Sequence, residues 1–192
     1  MKLSELTGVK KYLTSDATVH DVLKAKGFSP VGSGLYATVY DHPQLPYVLK
    51  IFQVKDHAYL SFVHMAQQHN NPHFPKFRGK PMLIPETGYY AVRMEPLTAW
   101  APNSVSILDR ALVHISGIVD DLPDWRRIFE TPYDEETIRS LKVFFRKWPK
   151  FLEALILLQE FEQTHKDVYF DLHFENIMKR GSVPVITDPF SS

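Results

Sequence analysis

The spacing of apolar residues changes once in this chain, near residue 100, and that change limits the folds open to it. Before it, Leu35–Tyr40, Tyr47–Phe52 and Tyr89–Met94 are rich in β-branched and aromatic residues, the composition of strands. After it, Ile107, Leu108, Ala111, Leu112, Ile115, Ile118 and Val119 make one helical stripe. Leu141, Phe144, Phe145, Trp148, Leu152, Leu155 and Leu158 make a second, which Pro149 should kink or restart. Strands first and helices second predict an α+β fold, divided into residues 1–97 and 98–192. One helix interrupts the sheet half: Tyr59, Phe62, Val63 and Ala66 recur at three- and four-residue steps until Asn70, Asn71 and Pro72 stop it.

Local signals fix several boundaries. Asp16 or Thr18 is expected to cap a short helix that runs through Lys26, with Asp21 three residues after Thr18 and Gly27 positioned to end it. Pro43 and Pro46 mark a turn, and Asp134, Glu135 and Glu136 favour a helix N-terminus. Asn176–Met178 and Val183–Ile186 close the chain as two short apolar stretches about a turn at Gly181.

Charge and composition exclude several classes of function. With 22 Lys+Arg against 22 Asp+Glu, the chain lacks the basic surplus of a phosphate-backbone binder, so direct nucleic-acid binding is not expected. Without cysteine there is no disulfide framework, thiolate zinc site or cysteine nucleophile. Residues 1–15 contain no uninterrupted apolar run, and no stretch approaches the roughly 20 apolar residues that span a bilayer. A cytoplasmic protein with no membrane partner is expected.

Glycine is scarce, 8 of 192 residues, and three of the eight fall within Gly27–Gly34. Gly32-Ser33-Gly34-Leu35-Tyr36-Ala37-Thr38-Val39 fits G-x-G-x-x-G-x-V with alanine at the third small position. Such a loop lets backbone N–H groups approach phosphate oxygens with no Cβ in the way, although taken alone the segment reads rather as a tight hairpin turn. Eleven residues after Val39, Lys50 stands in the otherwise apolar Val48–Phe52. It is either an outward residue on an exposed sheet face or a charge directed at phosphate from beneath the loop.

Asp171 and Asn176 stand five positions apart as D-x-x-x-x-N, and Asp188 follows Asn176 by twelve, at the end of the next apolar stretch. Phosphoryl transfer from a nucleotide needs a carboxylate to take the acceptor hydroxyl's proton and hard oxygen ligands for Mg²⁺. Asp171, Asn176 and Asp188 supply that set in that order. Each could be a turn residue taken singly; the ordered set favours chemistry.

The whole chain resembles the protein-kinase-like superfamily, with Gly32–Val39 as the glycine-rich loop and Lys50 as the strand lysine. Asp171–Asn176 is similar to the catalytic loop, Asp188-Pro189-Phe190 stands where D-F-G would be, and Arg93–Leu97 looks like the hinge that holds adenine. More narrowly, over roughly residues 21 to 191, Gly27-Phe28, His42-Pro43 with Leu45-Pro46, Asp171 with His173, Asn176–Met178, and Val183-Pro184 with Ile186–Pro189 resemble the early serine/threonine protein kinases of T-seven-like bacteriophages. The resemblance implies a two-lobed fold, a small antiparallel-sheet lobe with one helix followed by a minimal helical lobe. It implies an ATP- and Mg²⁺-dependent kinase acting in the host cytoplasm on host proteins of transcription and RNA processing. Asp171, as the base, and Lys50 would be catalytic, and Gly32, Ser33, Gly34, Val39, Lys50, Glu95 and Leu97 would bind nucleotide, with Asn176 and Asp188 on the metal.

The chain departs from that pattern in four places. No glutamate lies between Lys50 and Glu86 to clamp the strand lysine, a role Asp56, Gln67 or Gln68 would partly fill. Tyr169-Phe170 replaces the His-Arg before the catalytic Asp, Pro189 replaces the middle of D-F-G, and four residues follow Asp188 where an activation segment would begin. These departures leave two alternatives open, a degenerate kinase that occupies a host protein and, from Asp171-Leu172-His173, a small-molecule phosphotransferase. Metal binding by histidine is not expected, because Pro72 separates His69 from His73 and no H-E-x-x-H occurs. Trp100, Trp125 and Trp148 read as core or groove aromatics.

Overall fold

A computed structural model of the chain describes residues 18–84, 87–100, 135–172 and 174–191, apart from the side chains of Thr137 and Phe174. The helical stripe expected over 107–119, and with it residues 1–15, Asp16, Trp125, Asp134 and His173, lies outside the described residues. What is described is α+β, with four helices and an antiparallel five-stranded sheet. Among the described residues no helix is long and apolar enough to cross a membrane.

Helix α1 (Val19–Ala25) begins where the capping signal falls: the Asp21 N–H donates to the Thr18 hydroxyl, and the Asp21 carboxylate accepts from the Thr18 N–H at 2.9 Å. The helix ends as a Schellman turn. Phe28 N–H donates to the Leu23 carbonyl and Gly27 N–H to that of Lys24, which requires φ +86° at Gly27, open to glycine at no steric cost. Helix α2 (His57–His69) starts on Asp56, whose carboxylate accepts the Tyr59 N–H at 3.1 Å, and stops at Asn70, which takes the left-handed φ of +45°.

The sheet comprises β1 (Ser29–Ser33), β2 (Ala37–Asp41), β3 (Val48–Gln53), β4 (Met82–Ile84) and β5 (Tyr89–Met94), in the order β1-β2-β3-β5-β4. Register assigns its two faces. Tyr40, Leu49 and Arg93 are cross-strand neighbours, as are Thr38, Ile51 and Ala91; Leu49, Ile51, Tyr40 and Ala91 pack with Val19, Val22 and Leu23 of α1 and with Phe28. The alternate set, Val39–Lys50–Val92 and Ala37–Phe52–Tyr90, occupies the opposite face, where Phe52 meets Tyr59 of α2 edge-on at 4.9 Å. β3, central in the sheet, is buried from Val48 to Phe52.

The described residues up to Gln67, with Lys76–Pro96, form one compact unit. Gln68–Pro75 and the described residues from Leu97 onward form a second. The boundary at Pro96/Leu97 is one residue from that expected at 97/98, but Gln68–Pro75 joins the second unit, which a division by sequence order misses. Side chains explain why: Asn71 Nδ2 donates to the Lys150 carbonyl at 3.0 Å, His73 Nδ1 bonds the Pro184 carbonyl at 2.7 Å, and the Arg180 guanidinium donates to the carbonyls of Pro72 and Phe74. Ile186 N–H adds a bond to the His73 carbonyl at 2.8 Å.

In the second unit, α3 (Glu135–Lys147) carries Glu135 and Glu136 in its first turn, and α4 (Pro149–Thr164) restarts at Pro149. Leu155 and Leu158 are buried as expected, with Phe151 and Ala154, while Leu152 is only half-buried; the apolar stripe passes through Phe151 rather than its neighbour Leu152. Phe144 binds the two helices, its ring edge-on to Phe151 at 4.9 Å and to Trp148 at 5.0 Å. Short strands complete the unit: β6 (Thr98–Ala99), β8 (Ile177–Arg180) and β9 (Val183–Ile186) form one antiparallel sheet, and β7 (Tyr169–Phe170) pairs with β10 (Phe190–Ser191). Gly181, φ +60°, makes the β8–β9 turn where the sequence placed it.

Candidate functional site

Two groups of expected site residues are each assembled locally, one in each unit. In the first unit the glycine-rich segment is the hairpin joining β1 and β2. Gly32 pairs with Val39 and Ser33 with Thr38, and Gly34 N–H donates to the Ala37 carbonyl at 2.8 Å. Neither Gly32 nor Gly34 has a positive φ, and a Cβ built on either meets no atom within 4 Å. Turn geometry and packing therefore do not require glycine here, and exposed backbone without a Cβ is what an approaching anion needs. Leu35 at the tip is 83% exposed.

Lys50 lies on the face shared by Val39, Val48 and Val92, and is itself 6% exposed. It is thus not the solvent-facing lysine that an exposed sheet face would give. Its Nζ sits 3.4 Å from the centroid of the Tyr59 ring, a residue of α2 that is fully buried. The ring face attracts the ammonium and fixes it where water is largely excluded, the setting in which a cation–π contact is strongest. Asp56 has a capping role as well, on α2, Gln67 Nε2 donates to the Gly79 carbonyl at 2.8 Å, and Gln68 is exposed. Tyr59 appears in the sequence only as one apolar position of a helical stripe, so its contact with Lys50 was not legible there.

Glu95 follows β5, and its N–H donates to the Lys76 carbonyl at 3.0 Å while its carboxylate accepts the Lys76 N–H at 2.8 Å. Leu97, two residues on, belongs to the second unit and is half-buried.

In the second unit Asp171, Asn176 and Asp188 are brought into one hydrogen-bonded loop system. Asp171 N–H donates to the Pro189 carbonyl at 2.8 Å, extending the β7–β10 pair by one bond. Asn176 closes the Asp171–Asn176 loop on itself, its Nδ2 donating to the Asp171 carbonyl at 2.6 Å. The Asn176 carbonyl in turn accepts both the N–H and the hydroxyl of Thr187, at 2.8 and 2.9 Å. Asp188 therefore sits between two tethered neighbours, Thr187 bound to Asn176 and Pro189 bound to Asp171. Buried side chains hold the frame: Leu172 and Ile177 anchor the loop, and Phe190 stacks on Phe161 of α4 at 5.3 Å.

The donor chemistry suits Mg²⁺. Asp188 offers carboxylate oxygen and Asn176 amide oxygen, the hard ligands that cation takes, and the bond from Asn176 Nδ2 fixes the amide by its nitrogen end. Among the described residues no group of three or more His, Asp or Glu side chains forms a metal cluster, and His69 is exposed while His73 is buried on the Pro184 carbonyl. The chain matches no protein-family model and no curated protein.

Proposed function

We propose that the chain is an ATP-dependent serine/threonine protein kinase of the phage early type, with a protein-kinase-like two-lobed fold in which the first unit is the sheet lobe and the second the helical lobe. The observation that carries the proposal is the loop system of Asp171, Asn176 and Asp188. Three polar residues spread over 18 positions of sequence are tied together by four hydrogen bonds through their own main chains and immediate neighbours. Turn residues serving only the fold have no need of that mutual arrangement.

In this reading Gly32, Ser33, Gly34 and Val39 cover the nucleotide and Lys50, held by Tyr59, contacts its phosphates. Glu95 and Leu97 lie along the segment that would hold adenine; Glu95 would offer its carbonyl, since its N–H is bound to Lys76. Asp171 would take the proton of the acceptor hydroxyl, while Asn176 and Asp188 would hold Mg²⁺, whose chemistry is to neutralise charge on the transferred phosphoryl. Host proteins would be the substrates.

Transfer of labelled γ-phosphate from ATP into host-cell extract tests the proposal. Asp171→Ala should lower incorporation by about 10²–10⁴-fold, the contribution of a positioned base; equal labelling by wild type and variant would refute the assignment. A second reading, a kinase-derived module that acts by occupying a host protein, is favoured by one observation: α2 contains neither Asp nor Glu. It predicts a host partner retained unchanged by Asp171→Ala and Asp188→Ala, with no label transferred.

A further inference from the structure

From Asp56 to Glu86 the chain carries no acidic residue in between, yet Lys76, Arg78 and Lys80 fall in that interval. The fold concentrates this positive charge. Phe77 bridges Met94 in antiparallel fashion, with Arg78 N–H on the Arg93 carbonyl at 2.9 Å and Glu95 N–H on the Lys76 carbonyl at 3.0 Å. That bonding pattern sets Arg78 directly across from Arg93, both side chains on one face, and like charges so placed repel.

Both guanidiniums lie against a single ring. Arg93 Cζ is 5.6 Å and Arg78 Cζ 6.0 Å from the Tyr47 ring centroid. A ring face attracts cations but carries no net charge, so it leaves the pair doubly positive. Among the described residues no carboxylate comes within ion-pair distance of either arginine; Glu95, two positions along the same face, has a carboxylate oxygen on the Lys76 N–H. Two details show that the arrangement is built. Gly79 has φ +77°, and a Cβ there would come within 3.0 Å of Arg93 Nη2, so the guanidinium lies against bare backbone. Arg93 Nε is buried with no hydrogen-bond partner among the described residues, a donor left unmet. Arg78 is exposed and Arg93 half-buried, so a ligand approaches from the Arg78 side.

We propose that Arg78 and Arg93, presented on Tyr47 beside Gly79, form a recognition site for a phosphomonoester. Two opposed guanidiniums call for two negative charges, and a phosphomonoester carries about −1.5 to −2 at pH 7 on three acceptor oxygens, which arginine forks engage bidentately. A carboxylate or a phosphodiester carries only one. The site lies on the face of the sheet opposite Lys50, because Arg93 pairs with Leu49 while Lys50 pairs with Val92. It is therefore on the other side of the sheet from Lys50, the residue proposed above to contact the nucleotide's phosphates.

Titration of the isotope-labelled full chain with phosphoserine, followed at the Arg93 Nε–H and Gly79 amide signals by NMR, tests the proposal. Both signals should shift to saturation, and Arg78→Gln, a change at an exposed position, should weaken binding about tenfold or more, the loss expected for a charge-assisted bond. Lys50→Met should leave the titration unaltered. A phosphoserine peptide that binds more tightly than the free amino acid would identify a phosphorylated segment as the natural ligand; equal binding would identify a small phosphomonoester. Shifts that never saturate, binding unchanged by Arg78→Gln, or acetate or a single-stranded oligonucleotide binding as well as phosphoserine would overturn it.

Discussion

Replacing Tyr59 tests whether its aromatic face positions Lys50. The ammonium lies 3.4 Å from the ring centroid, well inside the roughly 6 Å range of the interaction. Lys50 is 6% exposed and Tyr59 fully buried, so the contact belongs at the desolvated end of the scale, about 2 kcal/mol. At about 1.4 kcal/mol per factor of ten, removing the ring should weaken binding of MgATP by up to roughly 30-fold if Lys50 contacts its phosphates. Tyr59→Leu also forfeits the edge-on contact with Phe52 at 4.9 Å, a pair worth about 0.5–1.5 kcal/mol, so folding stability should fall by about 3 kcal/mol in all. Tyr59→Phe keeps the ring and should keep both properties. Calorimetric titration with MgATP and urea unfolding measure the two effects separately. If Tyr59→Leu binds MgATP within twofold of wild type, or if Tyr59→Phe loses as much as Tyr59→Leu, Tyr59 does not position the lysine.

The His73 ring is held neutral by burial, which lowers its pKa from the usual 6.5 against the smaller opposing effect of its bond to the Pro184 carbonyl. Because the unfolded chain then takes up the proton first, stability from this residue is present above pH 6.5 and is lost as the pH falls below it. Urea midpoints measured across that range should decline with acidity in wild type, and His73→Gln should flatten the decline; an equal slope in the variant would contradict the assignment. Gly34→Ala places a methyl in open space on a backbone that accepts it, so folding stability should stay within about 1 kcal/mol of wild type. Its MgATP affinity should nevertheless fall about tenfold, the loss of one charge-assisted backbone bond, and unchanged affinity on titration would show that the hairpin does not touch phosphate.

How far the sequence disclosed this structure depended on whether the determining signal was local. Thr18, Asp21 and Gly27 bound α1, Asn70 ends α2 and Gly181 turns β8 into β9, because a cap or a positive φ acts through its own neighbours. β5 falls on Tyr89–Met94 as its composition indicates. β1 carries Pro30 and Gly32 and is exposed throughout, so neither propensity nor alternation marks it; its existence depends on pairing with β2. In α4 Leu155 and Leu158 lie on the buried face as their spacing indicates, but Phe151 is buried where Leu152 is expected, because after Trp148 a step of three and a step of four fit a 3.6-residue period equally well. At the candidate site the order of Lys50, Asp171, Asn176 and Asp188 was legible, since order is what a sequence records. Tyr59 beneath Lys50, Thr187 on the Asn176 carbonyl and Arg78 opposite Arg93 were not, because each contact joins residues nine to fifteen positions apart through tertiary pairing.

Thermal unfolding of the full chain with and without millimolar MgATP tests the central claim, that these residues bind a nucleotide. At about 100 times its dissociation constant the ligand should stabilise the fold by roughly 2.7 kcal/mol, which raises the midpoint of a chain this size by roughly 5–10 °C. A midpoint that does not move at millimolar MgATP would contradict the account.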